Sequence, residues 1–112
     1  MSDAGCLFCR IVRGELPATV VHRSDGFLAI EDIAPKAPVH VLVLPDRHVA
    51  TFREVDAFEA DEAKRMLGFV AETARAAGLD DYRVIVNVGP DAGQTVYHLH
   101  WHVLGGRALP FP

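Results

Sequence analysis

A chain of 112 residues and 12.2 kDa makes one domain, long enough to bury roughly 65% of the surface its unfolded form exposes. Half of its residues are hydrophobic and 23% are charged, the composition of a soluble globular protein. A net charge of −4 and a pI near 5.8 give no general attraction to nucleic acid or to a membrane surface, so a small anionic substrate has to be held by local donors.

The opening Met1-Ser2-Asp3-Ala4-Gly5-Cys6 has neither a basic region nor an apolar core, so it does not read as a signal peptide. The longest apolar run, Val39 to Leu44, is too short to span a bilayer. A cytoplasmic protein is expected, with Cys6 and Cys9 reduced. Phe8, Ile11 and Val12 have helical spacing, and Gly14 closes that short helix. Thr19 to His22 and Phe27 to Ile33 are predicted strands joined at Ser24-Asp25-Gly26, and Val39 to Leu44 is a third, ended by Pro45. The long helix is predicted over Asp56 to Ala77, with Asp56 as N-cap, Glu59 three residues later and Gly78 as the stop. Phe58, Ala63, Met66, Leu67, Val70, Ala74 and Ala77 trace its core-facing stripe. Tyr82 to Val88 is the next strand, Gly89 to Gln94 a loop, and Val96 to Leu104 the last strand. The fold class is α+β: a five-stranded, mainly antiparallel sheet with one long and one short helix.

The last strand carries His98-Leu99-His100-Trp101-His102-Val103-Leu104. Strand alternation puts the three imidazoles on one face and Leu99, Trp101 and Val103 on the other, where they anchor to a core. Three readings compete: a solvated face, a zinc site built on His-x-His, and nucleophilic and acid/base catalysis divided among the rings. One ion does not take all three, because strand positions i and i+4 lie roughly 13 Å apart. The preceding loop favours catalysis on a phosphate. Gly89 and Gly93 open unusual backbone conformations, Gln94 and Thr95 bring donors, and such a loop can form an anion-binding nest. Cys6-Leu7-Phe8-Cys9 is a lone Cys-x-x-Cys with no strand before it, which argues against a thioredoxin-like redox role. Two buried thiols and a zinc site completed by histidines both remain open.

The histidine run resembles the His-φ-His-φ-His-φ-φ motif of the histidine triad (HIT) superfamily. Asp32-Ile33-Ala34-Pro35-Lys36-Ala37-Pro38-Val39-His40, Leu44-Pro45-Asp46-Arg47-His48, and Asn87-Val88-Gly89 through Gly106-Arg107 extend the likeness, in order, over nearly the whole chain. Together they resemble the histidine triad nucleotide-binding branch, which implies a single HIT domain over 1–112 that hydrolyses purine nucleoside phosphoramidates. On that resemblance the catalytic set is His40, His98, His100 and His102. His100 attacks the α-phosphorus to give a nucleotidyl-histidine that water hydrolyses, and the His98 carbonyl sets its tautomer. His102 and His40 stabilise the phosphate or deliver a proton. Asp32 takes the ribose hydroxyls, Asn87, Gly93, Gln94 and Thr95 surround the phosphate, and Phe8, Leu16 and Ile33 hold the purine.

The resemblance further implies a homodimer, a chemistry that needs no cofactor, and a structural zinc on Cys6, Cys9, His48 and His98. Three positions depart from the branch: Ile30 stands where relatives often have an aromatic wall, Thr95 where they often have serine, and Phe111 where a tail tryptophan stands. The expected partners are purine nucleoside monophosphate conjugates and a second copy of the chain, with no nucleic acid and no membrane. Two alternatives stay open: dinucleoside polyphosphate hydrolysis, and a nucleotide-binding interaction module with residual hydrolysis.

Overall fold

A computed structural model of the protein describes residues 5–110, so the positions expected of Met1 to Ala4, Phe111 and Pro112 lie outside the described residues. Among the described residues five strands form one sheet: β1 Val20–Ser24, β2 Phe27–Glu31, β3 Val39–Pro45, β4 Tyr82–Ile85 and β5 Trp101–Gly105. Their order across the sheet is β1-β2-β3-β5-β4, every neighbouring pair antiparallel. The short helix α1, Leu7–Val12, precedes them, and the long helix α2, Ala60–Ala76, lies between β3 and β4. The expected α+β class and the sheet's direction are as read from the sequence. No helix among the described residues is long and apolar enough to cross a membrane.

The two helices cover different faces of the sheet. Against α2 pack Phe27, Ala29, Val41, Val43, Leu99, Trp101 and Val103, together with Met66, Phe69 and Val70 of the helix itself. On the other face Leu28, Ile30, Leu42 and Leu44 pack with Cys6, Phe8 and Cys9 around α1. β2 and β3 are therefore buried on both sides, which is why Val41 to Leu44 reads as a continuous apolar run instead of a clean alternation.

The element ends differ from the sequence reading, each for a local reason. The predicted helix from Asp56 begins only at Ala60, with Glu59 as N-cap. Residues Phe52–Ala57 instead form a 3₁₀ segment capped by Thr51, whose hydroxyl accepts the Arg53 N–H. Phe58, buried in the core, takes an extended conformation that separates the two helical pieces. Leu67, placed on the core stripe, is 56% exposed, whereas Phe69 is fully buried. β1 runs two residues past His22 to Ser24, and β2 stops at Glu31 because Asp32 begins a turn in which its Oδ1 accepts the Ala34 N–H at 2.8 Å. The histidine strand starts at Trp101 instead of Val96. Its register with β3, Val43 opposite Trp101, would next bring Leu99 to Pro45, which has no N–H to give. Leu99 bonds the Val49 carbonyl instead, at 2.6 Å. β4 ends at Ile85 for the same cause, since its partner β5 runs out there.

Candidate active site

Although His98 and His100 precede the hydrogen-bonded strand, the alternation survives: Leu99, Trp101 and Val103 enter the α2 core and the three imidazoles face the α1 side. There they divide between two sites. His100 and His102 line a cavity of about 590 Å³ with Phe8, Ile11, Ile30, Asp32, Ile33 and Thr95. His98 is wholly buried beside the cysteines.

Hydrogen bonds determine which nitrogen of each ring carries the proton. His100 Nδ1 lies 2.8 Å from the His98 carbonyl oxygen, which can only accept. Nδ1 is thus protonated, and in the neutral ring Nε2 keeps a free lone pair. The Lys36 amide donates to His40 Nδ1 at 3.0 Å, so His40 carries its proton on Nε2. That nitrogen is 2.9 Å from His102 Nδ1 and 3.3 Å from Asp32 Oδ2. His102 Nδ1 is therefore the acceptor, which leaves its Nε2 as a donor. The cavity presents one imidazole as a nucleophile and its neighbour as a hydrogen-bond donor.

Burial keeps these rings neutral. It lowers the pKa of His40, with Lys36 adding to the effect and the Asp32 carboxylate opposing it. It lowers that of His100 against the His98 carbonyl and Asp32. It pushes His102 down to about 4, helped by repulsion from His100 and His40. A neutral His100 is what nucleophilic attack requires.

The second site gathers Cys6, Cys9, His48 and His98, whose ligand atoms all lie within 4.8 Å of one another. His98 Nε2 is 2.7 Å from the Pro45 carbonyl, so it holds the proton and Nδ1 turns a lone pair to Cys6 Sγ at 3.4 Å and Cys9 Sγ at 3.5 Å. Cys9 Sγ is also 3.2 Å from His48 Nδ1. A tetrahedral zinc places its sulfur and nitrogen ligands roughly 3.5 Å apart, so the donor set and its spacing fit that ion. The ligands flank the cavity wall: Phe8, between the cysteines, has its ring 5.9 Å from His98 and 5.1 Å from His100.

Several expected site residues stand elsewhere. His40 does not line the cavity; both its nitrogens are engaged behind His102. Leu16, Asn87, Gly93 and Gln94 do not line it either. Pro17, Ala18 and Thr19 form the wall beside Leu16, Gly93 closes the 3₁₀ turn Pro90–Ala92 in a left-handed conformation, and Gln94 turns into the protein. Ile11 is a wall residue that the sequence reading named only for its helical spacing; its place three residues after Phe8 on one helix is the available signal. The Lys36 amide has no such signal, since its part depends on a fold-back onto His40.

The family model described as HIT domain matches residues 13–109. An uncharacterised HIT-like protein of Synechococcus elongatus is 43% identical over 95% of this chain and 94% of its own. The purine nucleoside phosphoramidase of Escherichia coli K12 is 39% identical over 92% of this chain and 88% of its own. Among solved structures, a HIT family hydrolase from Legionella pneumophila superposes with a TM-score of 0.89 at 43% identity, covering 96% of this chain and 98% of that one. A histidine triad protein from Clostridium difficile gives 0.88 at 37% identity, covering 100% and 99%.

Proposed function

The chain belongs to the HIT domain family, and from that premise we propose that it hydrolyses purine nucleoside phosphoramidates through a nucleotide covalently held on His100. The observation that carries this reading is the pairing of a free His100 Nε2 with a donating His102 Nε2–H at one cavity. His100 Nε2 attacks phosphorus as the bond to the amine breaks, and the amine departs with a proton taken from solvent. Water then attacks the same phosphorus, the P–N bond to His100 breaks, and the proton the water loses returns to solvent, leaving neutral His100 and a nucleoside monophosphate. Splitting one displacement into two replaces a hard step with two easier ones. The His102 N–H hydrogen-bonds the charged phosphate oxygens throughout. In this reading Asp32 accepts from the ribose hydroxyls, Thr95 donates to the phosphate, and Phe8, Ile11 and Ile33 enclose the base.

The chemistry needs no cofactor. Zinc on Cys6, Cys9, His48 and His98 is structural in this proposal: it ties α1, which carries Phe8, to the histidine run. The second copy of the chain pairs along β4, an edge strand on which Tyr82 and Val84 are 41% and 42% exposed.

The test is steady-state hydrolysis of an adenosine phosphoramidate by wild type and His100→Ala, with a dinucleoside polyphosphate run alongside. Turnover of the phosphoramidate that is lost in the variant, while AMP still binds, is expected. Preferential cleavage of the polyphosphate would replace the proposed substrate class, and absence of turnover with intact AMP binding would leave a binding module.

A further inference from the structure

We propose that Gln94 is a positioning residue for this reaction, its buried carboxamide locking the 89–95 loop so that Thr95 meets the substrate phosphate beside His100. The inference rests on the hydrolase reading for the phosphate, and on the loop's own hydrogen bonds for the role of Gln94.

The amide group is fully committed. Its Oε1 accepts the Gly89 N–H at 3.0 Å, and its Nε2 donates to the Ala50 carbonyl at 3.0 Å and the Val96 carbonyl at 3.1 Å. The Gln94 N–H also returns to the Gly89 carbonyl at 3.0 Å, so residues 89 and 94 are tied through main chain and side chain together. Gly89 and Gly93, with φ of 84° and 94°, let the chain close this ring. Arg53 covers its outside, with a guanidinium nitrogen 3.3 Å from where a Gly89 Cβ would stand.

The inner anchor links the loop to the nucleophile. Ala50 holds Gln94, and the adjacent Val49 carbonyl holds the amide of Leu99, the residue between His98 and His100. One short segment therefore fixes both Thr95, the next residue after Gln94, and His100, and the two side chains share the cavity wall. A carboxamide is required at position 94 because the environment asks for one acceptor and two donors. Glutamate would face two carbonyl oxygens with a carboxylate, and methionine, of equal length, would take this partner from the buried Gly89 N–H and from the part-buried Ala50 and Val96 carbonyls.

The experiment measures binding of AMP and of adenosine to the full-length protein and to Gln94→Glu and Gln94→Met, with phosphoramidate turnover of each. Both variants are expected to weaken AMP about tenfold, the loss of one hydrogen bond to a charged group, while adenosine affinity stays unchanged. Turnover is expected to fall on the order of 100-fold, as misplacement by about an ångström does. Losses of AMP and adenosine in equal proportion, or AMP binding and turnover at wild-type levels, would overturn the positioning role. Should Gln94→Glu fail to fold, Gln94→Met carries the same comparison. A wild type that binds AMP but turns over no phosphoramidate would refute the proposed reaction alone, because the AMP-to-adenosine ratio still decides the role of Gln94. A wild type that binds neither would overturn both.

Discussion

Replacing His102 with glutamine should flatten the loss of folding stability that the wild-type chain shows between about pH 6.5 and 4. The folded His102 does not accept a proton until about pH 4, whereas its ordinary value is 6.5. Between those values the unfolded chain binds a proton that the folded chain refuses, so the free energy of unfolding rises with pH across the window. The contribution is complete above the upper value and is lost as pH falls through the lower one. At about 1.4 kcal/mol per pH unit the shift sets a ceiling of about 3.5 kcal/mol. His102 is only part-buried, and water reaching its ring reduces this to roughly 1–2 kcal/mol. Urea unfolding from pH 7.5 to 4 measures it, wild type against His102→Gln. Every other group is the same in both proteins, so the difference in slope reports His102. Equal slopes, or a steeper one in the variant, would refute the burial of His102 as a neutral ring.

Phe69→Ala, which empties a fully buried site between His22 and Phe27 on the α2 face, is expected to cost about 3–5 kcal/mol in urea unfolding. Phosphoramidate turnover by its folded fraction should stay at wild type, because the cavity lies across the sheet. Cys6→Ser should drop zinc, measured by elemental analysis of protein purified without chelator, from about one ion per chain to near none. It should also lower Tm; unchanged zinc content would exclude this ligand set. Val84→Lys should halve the mass found by light scattering, since a charge on the exposed β4 edge opposes strand pairing. A wild type of 12.2 kDa at all concentrations would refute the dimer.

Much of the site was legible in the chain because its signals are local. Histidines alternating with Leu99, Trp101 and Val103 sort to opposite faces whether or not the strand is hydrogen-bonded, since the side-chain period of two belongs to the extended backbone itself. The same holds for Cys6, the N-cap of α1, and Cys9, three residues on, and for the acceptor of His100 Nδ1, a carbonyl two residues back. The helix start was misread because Asp56 and Glu59 look like a cap, whereas the burial of Phe58 decides where the chain straightens.

Contacts across the sequence decided the rest. The histidine strand begins at Trp101 because Pro45, more than fifty residues earlier, stands opposite Leu99 without an N–H. His40 serves His102 because the Lys36 amide folds back onto it, and the Gln94 carboxamide is spent on the loop scaffold because the Ala50 carbonyl lies within reach. Residue type and spacing tell which groups are present and which way a strand turns them. Which nitrogen is protonated, which amide is spent on the scaffold and which is left for substrate depend on partners that only the folded chain brings within hydrogen-bond distance.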